Sequence, residues 1–119
     1  MKHYAMIFYP TRTLTVEELR QRKVEIANWA KQVTAMGITL DPRSFTETAE
    51  KLSLQEGAVV SHEEASLGFS NIVFFDALSV DQAVQISKMH PGLHYGAAVE
   101  VREWTSPLGT QAKRPVVEQ

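Results

Sequence analysis

Proton transfer near neutral pH is the chemistry most open to this chain, and its carriers are four histidines: His3, His62, His90 and His94. His62 is followed directly by Glu63 and Glu64. An imidazole beside a carboxylate can act as an oriented base; the plainer reading is an exposed histidine beside solvated acids. His90 precedes Pro91 at the end of a helical pattern, where an imidazolium interacts well with the helix dipole. His94 and Tyr95 lie in the approach to the last strand and suit a pocket rim. His3 alternates with Ile7 on the first strand, a place for a histidine inside a sheet or an interface. Glu100 and Arg102 are two apart on a strand, so they share a face at roughly 7 Å, with Trp104 next in line. They form an ion pair, or Arg102 is free to receive an anionic ligand. The candidate catalytic residues are therefore His62 and His94, and the candidate ligand-binding residues are Tyr95 and Arg102.

Other chemistries find little support. There is no cysteine, which removes thiolate nucleophiles, zinc–thiolate sites and disulfides together and fits a reducing, cytoplasmic setting. A protein-built metal site needs three or four converging ligands. His90 and His94 have helical spacing, but Pro91-Gly92 between them denies helical geometry, so no metal site is expected. No phosphate-cradling glycine loop or nucleophile-elbow pattern occurs, and no cofactor is expected. Tyr9, Trp29, Phe69 and Phe75 read as core or pocket wall.

These residues need elements to hold them. Residues 3–9 predict a strand with Tyr4, Met6 and Phe8 on one face and His3, Ala5, Ile7 and Tyr9 on the other. Both faces are largely apolar, so both should be covered. Thr15 to Glu18 form a capping box, and apolar residues at 16, 19, 26, 30 and 33 predict a helix over 16–36, about 31 Å long. Trp29 and Met36 flank that stripe, and Gly37 suits a left-handed cap. Residues 38–46 predict an extended segment weakened by Asp41-Pro42, where proline implies a sheet edge or a bend. Alternating runs on either side of Glu56-Gly57 predict a hairpin over 51–62, with a loop at 63–67. Residues 69–76 predict another two-sided strand. Ser79 to Gln82 open a second helix as a capping box, His90-Pro91-Gly92 ends it, and 96–104 predict the last strand.

The order is β-α-β-hairpin-β-α-β, which predicts an α+β fold of the ferredoxin-like kind with an inserted hairpin. Right-handed crossovers put both helices on one face. The apolar face left bare then predicts a homodimer with sheets face to face. A length of 119 residues allows one domain, placed at 1–104, with 105–119 as an arm. Hydrophobic residues at 44% and charged residues at 22% suit a globular chain. A net charge of −2 gives no reason to expect a nucleic-acid partner. The opening apolar run is too short for a signal-peptide core, and no stretch approaches the length of a membrane span.

The segment from His90 through Arg102 carries a pattern of His-Pro, Tyr-Gly three residues on, and then Val-Glu-Val-Arg. It resembles the ending of YCII-related proteins, most closely the DGPF-domain branch. Gly68-Phe69 through Asp76, followed by Asp81-Gln82-Ala83, is similar to the segment that precedes it there. The resemblance covers about 1–104 and implies a dimeric α+β barrel. Two features differ. The Asp-Gly-Pro-Phe loop is replaced by Ser61-His62-Glu63-Glu64-Ala65-Ser66, and the first helix has no histidine, so the family's His–Asp pair does not carry over. The expected function is binding of a small organic molecule between helices and sheet. The alternatives are a cofactor-independent enzyme working on a small organic acid through a histidine, and a structural or regulatory dimer.

Overall fold

A computed structural model describes residues 1–64 and 68–108. Its main sheet has four strands in the order β2-β5-β1-β6. They are β1 (Lys2–Pro10), β2 (Leu40–Ser44), β5 (Asn71–Ala77) and β6 (Ala97–Glu103). Every neighbouring pair is antiparallel, so β1 runs parallel to β2 and β5 parallel to β6, each pair separated by a strand of the other. The connections between these parallel strands carry α1 (Val16–Ala35) and α2 (Val80–Lys88). The chain is thus an α+β protein, as its order of elements predicts.

Strand alternation decides which side chains meet the helices. Tyr4, Met6 and Phe8 from β1, with Val73, Phe75 and Ala77 from β5, join Trp29 and Val33 of α1 and Ala83 and Ile86 of α2 in one buried cluster. The indole N–H of Trp29 donates to the Ile86 carbonyl at 3.2 Å, which ties the two helices together. The opposite face carries Ala5, Ile7, Ile72 and Phe74 at its centre, and no helix of the described residues lies on it. Ala5 is buried and the other three are half-buried. On this face His3 meets Asp76 at 2.6 Å and stacks on Trp104.

Thr15 caps α1 as its sequence predicts: its hydroxyl accepts from Glu18 N–H and the Glu18 carboxylate accepts from Thr15 N–H. Ser79 caps α2 by accepting from Gln82 N–H, but the Gln82 side chain accepts from Leu78 N–H instead of closing the box on Ser79. β2 is an edge strand containing Pro42, where a missing N–H costs least.

The inserted hairpin is β3 (Ala49–Gln55) with β4 (Ala58–Glu64), a separate two-stranded sheet. Glu56 (φ 50°) and Gly57 (φ 81°) turn it, both in the left-handed region that tight hairpins need. β4 runs through residues 63 and 64, where the sequence predicts a loop. Residues 91–95, expected as irregular chain, instead form a 3-10 turn that closes on Gly96 (φ 81°). Proline at the first position of a turn needs no N–H partner, which is why this segment coils directly after α2. Of the expected arm, 105–108 leave the sheet after Glu103 and 109–119 lie outside the described residues.

Candidate functional site

A cavity of about 410 Å³ opens between α1, one end of the main sheet and the 3-10 turn. Its apolar walls include Phe8 and Val73 from the sheet and Leu19 and Ile26 from α1. Its polar wall includes Arg12, Arg22, His90 and Tyr95, with the uncharged side chains of Thr13, Ser70 and Asn71 also lining it.

The helix stripe explains Arg22. Leu19, Arg22, Ile26, Trp29 and Val33 follow one another at three- and four-residue intervals, so they share one face of α1. Arg22 occupies the turn of that stripe where an apolar residue is expected, and its guanidinium enters the cavity wall. Its Nε is buried without a hydrogen-bond partner, and no ion pair reaches the residue among those described. The nearest acids on the same helix are engaged elsewhere. Glu18 takes Arg12 in a two-pronged bond of 3.1 and 3.0 Å, and Glu25 accepts from the Tyr95 hydroxyl at 2.7 Å. The Arg12 guanidinium, helped by Thr15 N–H, holds the Glu18 carboxyl down at about 2. Glu25 in turn raises the Tyr95 phenol above its ordinary value.

His90 is buried, with its ring 4.6 Å from Phe8 and 4.5 Å from Trp29, centre to centre. Its Nδ1 accepts from Gly92 N–H at 2.9 Å, which assigns the proton of the neutral ring to Nε2. Burial, with a smaller contribution from the Arg22 charge, lowers its pKa to about 4. The expected role at the C-terminus of α2 is therefore corrected. A ring that stays neutral cannot offer a cation to the dipole, and His90 instead caps the start of the 3-10 turn.

The four residues singled out from sequence are not brought together. Tyr95 lines the cavity. His94 is its neighbour but is exposed and outside the lining. His62 is exposed on β4, opposite Lys51. Because β4 continues, Glu63 points to the other face of the hairpin and is not the oriented partner its adjacency suggests. Arg102 is exposed on the helix-free face and donates to Glu100 at 3.0 Å, while Tyr9 donates to the same carboxylate at 2.8 Å. Arg102 is thus an ion-pair member at this face and not part of the cavity wall.

Two cavity residues, Arg22 and His90, were legible only as irregularities. The helical stripe has an empty turn between Leu19 and Ile26, and Arg22 fills it. His90 stands two residues before Gly92, where its imidazole reaches back onto a backbone N–H; a Cβ on Gly92 would stand 3.0 Å from His90 Nδ1. Among the described residues no group of three or more acids and histidines is placed to hold a metal ion, and no helix is long and apolar enough to cross a membrane. No protein-family model matches the chain, and no curated protein matches it.

Proposed function

We propose that this protein binds a small organic molecule in the cavity between α1 and the sheet. The observation that carries the reading is the cavity itself: about 410 Å³, mostly apolar, with a few converging polar groups. A ferredoxin-like arrangement is supported by two interleaved β-α-β units with both helices on one face. The resemblance to YCII-related proteins agrees with that arrangement. A homodimer is supported by the helix-free face, where an apolar centre lies between edges that each carry both charge signs: Asp41 with Arg43, and Glu100 with Arg102.

The second reading is a cofactor-independent enzyme, favoured by the presence of His90 in the cavity wall. Its geometry suits donation better than proton abstraction. Nδ1 is taken by Gly92, no described carboxylate orients the ring, and burial keeps it neutral. The described histidine that does hold a carboxylate, His3 with Asp76, lies on the opposite face of the sheet. Binding without chemistry is therefore preferred.

Native mass spectrometry on protein purified without denaturation tests the reading. The expected result is a retained small-molecule mass that is lost in Ile26→Trp, which fills the cavity. A retained mass that survives that substitution places the binding outside this cavity, and no retained mass under any growth condition favours a purely structural or regulatory dimer.

A further inference from the structure

We infer that the cavity takes a small organic monocarboxylate, its carboxylate on the Arg22 guanidinium and its apolar body against Phe8, Ile26 and Val73. This rests on the small-molecule reading and names the class of ligand.

Arg22 is the reason. Its Nε is shut off from water without a hydrogen-bond partner while the residue as a whole is half-buried, and an anion at the cavity wall would replace the water that Nε has lost. None of the described acids does so. Glu18, one turn before Arg22, is held by Arg12 and the helix cap, and Glu25, on the next turn, is held by Tyr95. The planar fork of an arginine matches a carboxylate in two parallel hydrogen bonds.

Charge sets the number of anionic groups. Arg12 also lines the cavity, but Glu18 neutralises it in a two-pronged pair. His90 is uncharged and supplies an N–H from Nε2. Among the described residues the wall thus offers one positive charge without an ion-pair partner, with the neutral His90 N–H and the uncharged polar side chains of Thr13, Ser70 and Asn71 beside it. That complements a monoanion. A phosphate dianion would need a second free cation here.

The walls set the rest of the ligand. Phe8, Val73, Leu19 and Ile26 are apolar, and the volume lies toward the small end of the range for ligand pockets. A short aromatic or branched aliphatic acid fits that description better than a polyhydroxylated one.

Calorimetric titration with matched pairs tests this: benzoate, phenylacetate and 4-methylpentanoate, each against its own carboxamide, with inorganic phosphate as a further arm. In the wild type at least one acid is expected to bind about ten-fold or more tighter than its amide, the worth of a charge-assisted hydrogen bond. Phosphate is expected to bind more weakly than that acid. Arg22→Gln should erase the acid-over-amide preference while leaving amide binding in place. Arg22→Lys, which keeps the charge and loses the fork, should reduce it about three-fold or more and carries the test if the glutamine variant does not fold. Equal binding of acids and amides, an undiminished preference in either variant, or phosphate binding tighter than every acid overturns the carboxylate while leaving the cavity reading intact. Binding of none of the acids or amides overturns both.

Discussion

His90 and Arg22 share a cavity wall because one of them is uncharged. If His90 were protonated there, two cations would face each other in a poorly hydrated place. This gives stability a defined pH dependence. The folded pKa, about 4, lies below the ordinary 6.5, so the unfolded chain binds the proton more readily between those values. The stabilisation is full above pH 6.5 and is lost as pH falls toward 4. For this buried ring it amounts to about 3 kcal/mol. Chemical denaturation across pH 4 to 7 should show that loss, and His90→Gln should flatten it. Glu18 acts in a lower window. Its carboxyl is held at about 2, so its contribution is present above the ordinary 4.5 and fades only below that value. At this scale the sequence shows which residues exist but not which are unpaired. Arg102 and Arg22 are the same residue type, and the positions of Glu100, Glu18 and Glu25 decide that the first has an ion-pair partner while the second has none among the described residues.

Elements place the cavity wall through their ends. Thr15 starts α1, and its partner Glu18 also holds Arg12, so helix cap and cavity rim share one carboxylate. Thr15→Ala should cost about 1 kcal/mol, read as a lowered thermal midpoint. Gly96 ends the 3-10 turn with φ 81°, and a Cβ there would stand 2.6 Å from Arg12 Cγ. Gly96→Ala should therefore destabilise by roughly 1–2 kcal/mol, from the left-handed backbone and the displaced arginine. It should also weaken ligand retention in native mass spectrometry, because Arg12 swings off the rim. The long helix, the edge strand at Pro42 and the hairpin at Glu56-Gly57 were legible because capping, imine geometry and turn conformation are local. The 3-10 turn was not, because His-Pro-Gly signals a helix end as readily as a new turn. The end of β4 was also missed: Glu63 and Glu64 look solvated, and a solvated residue sits as easily in an exposed strand as in a loop.

For the whole molecule the open question is the helix-free face. Ile7, Ile72 and Phe74 are only half-buried at the centre of a four-stranded sheet. If a second copy covers them, light scattering at micromolar concentration should give twice the 13.3 kDa chain mass. Phe74→Glu should then return a folded monomer, since a carboxylate at the centre of such an interface is desolvated without a partner. A monomeric wild type would refute the face-to-face assembly. The cavity lies on the other side of the sheet, against α1, so this substitution should leave ligand binding in place.

Alternation of apolar residues, two helix caps and the turn chemistry at Glu56-Gly57 determined the six strands and two α-helices of the described residues, and their order, from sequence alone, because each depends on neighbours within a few residues. Which charges are left over was decided by the tertiary structure. Glu18 could have paired with Arg22 one helical turn away, but the loop after β1 delivers Arg12 to it. Glu25 could have done the same, but the 3-10 turn delivers Tyr95. Pairing depends on distances between segments far apart in the chain, and that is why a cavity guanidinium with no ion-pair partner among the described residues could be seen only once the chain was folded.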